Sequence, residues 1–138
     1  MPIDRILAGG TVVTAETTFE GSVAIDDGTI VAVGDEESLP DADDRVDVSG
    51  QLLMPGVVDP HVHIDERFSL DSHETATAAA ALGGITTCIA FGWQSAPDDA
   101  PPDRTLLDGI ERKKAEAADA LVDVSYRGTI WPTDTPVL

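Results

Sequence analysis

Cysteine, lysine, histidine and aromatic residues are all scarce in this chain of 138 residues. A single cysteine, Cys88, excludes an internal disulfide framework. It sits in the β-branched apolar run 85–91, where a thiol reads as a small buried core group. Lysine occurs only as Lys113 and Lys114, and the 8 basic residues face 26 acidic ones. Nucleic-acid binding is therefore disfavoured, because a phosphate backbone demands clustered cations. No apolar run approaches the length of a membrane span, and no basic stretch followed by an apolar core opens the sequence. The expectation is a soluble, cytoplasmic protein without nucleic-acid or membrane partners.

What is abundant is aspartate and small apolar residues. Eighteen of the acids are Asp, the net charge is −18, and yet 42% of residues are hydrophobic. That is too apolar for a disordered acidic tail. A folded chain with this much excess charge repels itself unless salt screens it. The economical reading is a protein from a salt-rich cytoplasm, as in haloarchaea. An acidic surface made for a basic partner is the alternative.

The grammar changes once along the chain. Residues 1–54 read as short strands with turn signals, forming a small antiparallel sheet. Segments 3–7 and 11–14 flank Gly9-Gly10, and 22–26 and 29–33 flank the hairpin signal Asp27-Gly28. The acidic stretch 35–44 reads as a solvated loop, and 46–48 and 51–54 flank Ser49-Gly50. Residues 55–138 alternate strands and helices, the pattern of βα units around a parallel sheet. Strand 57–64 leads through a loop at 65–70 to a helix capped by Asp71 with Glu74 as its capping-box partner. Alanines propagate that helix and Gly83-Gly84 stop it. Strand 85–91, an irregular proline-bearing loop at 92–102, a helix over about 103–119 and a strand over about 122–131 follow. Leu106, Ile110, Lys113 or Lys114, Ala117 and Leu121 mark the inner face of the second helix.

The most informative segment is Met54-Pro55-Gly56-Val57-Val58-Asp59-Pro60-His61-Val62-His63-Ile64-Asp65. On a strand, alternate side chains share a face, so Asp59, His61 and His63 point one way and Val58, Val62 and Ile64 the other. Two imidazoles side by side at a strand end can reach one metal ion. The third histidine, His73, falls at a helix start and reads as a surface residue.

That segment resembles the first barrel strand of the amidohydrolase superfamily, in which Pro-Gly, two apolar residues and Asp-x-His-x-His supply the first two metal ligands. Three further stretches, 27–34, 46–56 and 74–87, resemble the cyclic amidohydrolases: hydantoinase/dihydropyrimidinase, allantoinase and dihydroorotase. The resemblance implies a small β-sheet, part of a β-sandwich, followed by the first three βα units of an incomplete (β/α)8 barrel. It implies a divalent metal, zinc by preference and binuclear in the complete enzyme, with His61 and His63 ligating the more buried ion. Asp59 then orients an imidazole or, equally, forms a turn. The implied reaction is hydrolytic ring opening of a cyclic amide, with an aspartate from a late strand as general base and then acid. The complete enzyme is expected to be a homo-oligomer.

A full barrel needs eight strands and about 250 residues. In the family, the remaining ligands (a carboxylated lysine, two histidines and an aspartate) lie beyond the position of Leu138. The chain therefore reads as an N-terminal fragment with half a metal site and no catalytic residue of its own. A non-catalytic, hydantoinase-like scaffold is the alternative. The loop carrying Asp65, Glu66 and Arg67 would overlie the active site and select substrate. Dihydroorotases commonly carry arginine where Asp65 stands, which lowers that member. Allantoinases resemble 61–66, whereas hydantoinases resemble 106–114 and 122–127, with histidine in place of Arg127.

Overall fold

The computed structural model describes residues 2–64, 71–92 and 105–129. The chain divides into two compact units, Met1–Pro55 and Gly56–Leu138. The first is a five-stranded sheet built on the long central strand β1 (Ile3–Val13). Strands β2 (Thr18–Asp26) and β3 (Thr29–Gly34) extend it antiparallel on one side. Asp27 and Gly28 join them with φ of 47° and 68°, the left-handed pair that lets a two-residue turn follow the twist of its strands.

On the other side of β1 the arrangement differs from the all-antiparallel expectation. Strands β4 (Ala42–Asp47) and β5 (Leu52–Leu53) both run parallel to β1, so the sheet is mixed. The parallel pairing follows from the crossover between β3 and β4, which begins with a 3-10 turn at Glu36–Ser38. Part of the expected acidic loop is therefore strand. Gly9-Gly10 does not separate two strands either. The register with β2 shifts between Leu7 and Gly10, so the pair marks a bulge within one strand. Ile3, Ile6, Ala8 and Ala24 form the buried core of this unit, with Ala32, Leu39 and Ala42 packed against it.

The second unit is a parallel sheet in sequential order: β6 (Val57–Asp59), β7 (Ile85–Gly92) and β8 (Asp123–Gly128). Helix α1 (His73–Leu82) connects the first pair and α2 (Leu106–Glu116) the second. Ser72, not Asp71, caps α1, accepting the Thr75 backbone N–H on its hydroxyl. A capping box of Thr105 and Asp108 starts α2. Both helices lie on one face. Cys88, Ala90 and Gly92 point towards it and are buried. A Cβ at Gly92 would come within 2.8 Å of Ile110 Cγ1, so the bare backbone there lets α2 approach.

Two polar contacts fasten α1 to the rest of the unit. His73 is 6% exposed, against the expectation of a surface residue, and its Nε2 lies 2.6 Å from the Tyr126 hydroxyl on β8. Buried Thr77 accepts the Leu121 backbone N–H at 2.9 Å and donates to the His73 carbonyl. On α2, Leu106, Gly109 and Lys113 are buried while Lys114 is exposed. Leu121, expected on the inner face, is 64% exposed, because the helix has ended at Glu116 and the chain has turned.

Candidate functional site

The Pro55-Gly56 pair that precedes the histidines has a steric cause. A Cβ at Gly56 would fall 2.1 Å from Thr86 Oγ1, so only glycine brings the chain alongside β7 at this point. Strand β6 then pairs with β7 through Asp59 opposite Cys88. Pro60, lacking an N–H, interrupts the ladder. One further bond, from Val62 N–H to the Ile89 carbonyl at 3.1 Å, keeps the chain beside β7. The expected strand 57–64 is thus regular only to Asp59, which pairs with Cys88. His61 and His63 pack on Phe91 from the other face of β7, so Asp59 does not share their side as the alternation predicted.

His61 and His63 turn their rings towards each other, and Ile64 beside them is buried. Their Nε2 atoms are 3.3 Å apart. Two nitrogens bound to one tetrahedral zinc at the usual bond length stand about 3.3 Å from each other. The pair therefore fits two corners of such an ion. Asp59 Oδ1 accepts the His61 backbone N–H at 3.1 Å, a turn that fixes the entry of the chain to the histidines. Its bond to His61 is to the backbone rather than to the ring. Among the described residues no group of three or more His, Cys, Asp or Glu is placed to hold an ion.

Two residues that sequence reasoning did not assign to the site line it. Phe91 packs against both imidazoles: its ring is 4.7 Å from that of His61, edge-on, and 5.2 Å from that of His63, stacked at 16°. Arg127, the Cα partner of Phe91 on β8, places its guanidinium 5.3 Å over the same ring and donates to the Pro60 carbonyl at 3.0 Å. The alternation of β7 could have placed Phe91, since it lies on the face opposite Cys88 and Ala90. Cys88 is outside the site. Burial, with the Asp59 carboxylate adding to it, pushes its thiol above the ordinary range, so it stays protonated and inert near neutrality. His73, on α1, meets Tyr126 of β8 and is not brought to His61 and His63. Asp65, Glu66 and Arg67 lie outside the described residues, as do 93–104 and the expected end of the last strand. Among the described residues no helix is long and apolar enough to cross a membrane.

No protein-family model matches the chain. An allantoinase of Escherichia coli is 40% identical over 110 residues, covering 78% of this chain and 23% of that protein. An L-hydantoinase of Paenarthrobacter aurescens is 33% identical over 141 residues, covering 96% of this chain and 29% of that one. Among solved structures, a D-hydantoinase from a Bacillus species matches with a TM-score of 0.78 at 30% identity, over 96% of this chain and 28% of that one. A dihydropyrimidinase from Brevibacillus agri matches with a TM-score of 0.77 at 31% identity, over 91% of this chain and 27% of that one. The chain thus spans roughly a quarter of the length of these proteins. In sequence and in fold the chain is thus similar to the N-terminal part of cyclic amidohydrolases, allantoinases and hydantoinases among them.

Proposed function

We propose that this chain supplies two metal ligands, His61 and His63, to an enzyme that opens a cyclic amide by hydrolysis. The observation that carries the reading is the 3.3 Å separation of the two Nε2 atoms, on a strand end whose relatives are named allantoinase and hydantoinase. The chemistry a divalent ion supplies there is activation of water and of an amide carbonyl at neutral pH. The chain's own part is to hold two imidazoles convergent and to wall one side of the site with Phe91. Two ligands leave an open site incomplete, since catalytic zinc takes three from protein. The remaining ligands and the general base are assigned to the portion of the relatives this chain does not span.

The sequential strand order, with both helices on one face, supports a barrel rather than a doubly wound sheet, in which the order reverses. In such a barrel the C-terminal ends of the strands carry the chemistry, and His61, His63, Phe91 and Arg127 all lie at those ends. For substrate we propose a hydantoin-type ring. Allantoin is itself a ureido-substituted hydantoin, so the names of both relatives point to one five-membered cyclic diamide.

The test is ring opening of hydantoin, allantoin, dihydrouracil and dihydroorotate by the zinc-supplemented enzyme that contains this chain. Turnover of the first two, abolished by His61→Ala or His63→Ala, is expected. Failure on all four substrates with metal bound sinks the enzymatic reading. Wild-type activity in either histidine variant removes the ligand assignment.

A further inference from the structure

Pro60 creates a mechanical problem for the residues that follow it. It ends the regular pairing of β6 just before the two histidines, leaving the bond from Val62 N–H to the Ile89 carbonyl as the tie of that backbone to β7 among the described residues. The site therefore needs support from elsewhere. Arg127 supplies it from two strands away, reaching from β8 past β7 to donate to the Pro60 carbonyl at 3.0 Å. The same guanidinium stands 5.3 Å over Phe91, and Phe91 in turn contacts both imidazole rings. One side chain thus braces the histidines through their backbone and through the ring they pack against.

We infer that Arg127 is a positioning residue for His61 and His63, setting the convergence of the two imidazoles. This inference deepens the proposed metal-site reading and rests on it for its consequence. Arg127 is exposed, so its loss should act on the site more than on the fold. A planar guanidinium can bond the carbonyl while lying over an aromatic face, whereas a lysine offers the bond without the plate. Arg127→Lys should therefore retain part of the effect and Arg127→Ala none.

The experiment compares the enzyme that contains this chain as wild type, Arg127→Ala, Arg127→Lys and His61→Ala in high salt. Imidazole proton resonances of the metal-free protein report where the two rings sit against Phe91. A Zn2+ titration of the same resonances reports affinity. Arg127→Ala should shift the ring resonances of both histidines before metal is added. It should also weaken zinc binding about tenfold, the scale of residues that orient metal ligands, with Arg127→Lys between it and wild type. The thermal midpoint should stay at the wild-type value. Unchanged ring resonances in a folded Arg127→Ala variant would overturn the positioning role, as would a fall in midpoint that accounts for the change. An arginine acting directly on substrate would likewise leave both readouts unmoved. If ring resonances shift but the wild-type enzyme that contains this chain takes up no zinc, the positioning role stands and the metal-site reading falls.

Discussion

At the scale of single residues, the second unit depends on a few polar contacts between elements far apart in sequence. Thr77 serves two of them at once, accepting from Leu121 and donating to His73. Thr77→Val keeps the volume and strands a partly buried N–H, so it should cost about 1–3 kcal/mol in chemical denaturation. Tyr126→Phe removes the hydroxyl beside His73 and should cost a similar amount, about 1–2 kcal/mol, with no loss of zinc response at His61 and His63. A zinc response lost in Tyr126→Phe would mean that the two faces of the sheet are coupled. The paired histidines were legible in sequence because a period of two is a local property. Phe91 and Arg127 were not, because which residues stand beside one another across strands is decided by register. The buried state of His73 was hidden for the same reason: its partner is 53 positions away.

At the scale of elements, α2 is a short helix stabilised at both ends. Thr105→Ala removes the side-chain half of its capping box and should cost about 1 kcal/mol by thermal melting. Near its C-terminus, Glu116 is held by Lys113 at 2.7 Å and Arg112 at 3.0 Å. Burial pushes the Glu116 carboxyl up, but the hydrogen bonds and charges of Lys113 and Arg112 outweigh it and hold the group below the ordinary carboxylate range. A lowered folded-state value means the contribution is present at neutral pH and is lost as pH falls through that range and below. Glu116→Gln should therefore flatten part of the acid limb of the melting-temperature profile. An unchanged limb would show that the clamp adds nothing. Helices and the Asp27-Gly28 hairpin were readable because caps, alanine runs and turn pairs act locally. The parallel placement of β4 and β5 was not, because short strands carry no mark of the partner they will join. Gly9-Gly10 misled for a related reason, since glycine marks a bulge and a turn alike.

At the scale of the whole molecule, charge dominates. The net charge of −18 predicts stability that falls as salt is withdrawn. The screening length grows from about 3 Å at molar salt to about 30 Å at 0.01 M, bringing most of the surface carboxylates into mutual repulsion. Melting temperature should rise with KCl concentration, and a flat profile would remove the salt-rich origin as an explanation of the acidic composition. The parallel sheet, meanwhile, has two faces of opposite character. Small residues at Cys88, Ala90 and Gly92 meet the helices, while Phe91 and Arg127 stand on the other side with the histidines. This division sets where the sequence is free to drift. Exchange at alternate positions of β7 should be punished by overpacking against the helices, since Gly92 has no room even for a methyl group. The intervening positions should accept new side chains with little effect on folding. A saturation library along β7 would then show a two-residue rhythm of tolerance, with the permissive beats facing the chemistry, so that new substrates can be tried without dismantling the scaffold.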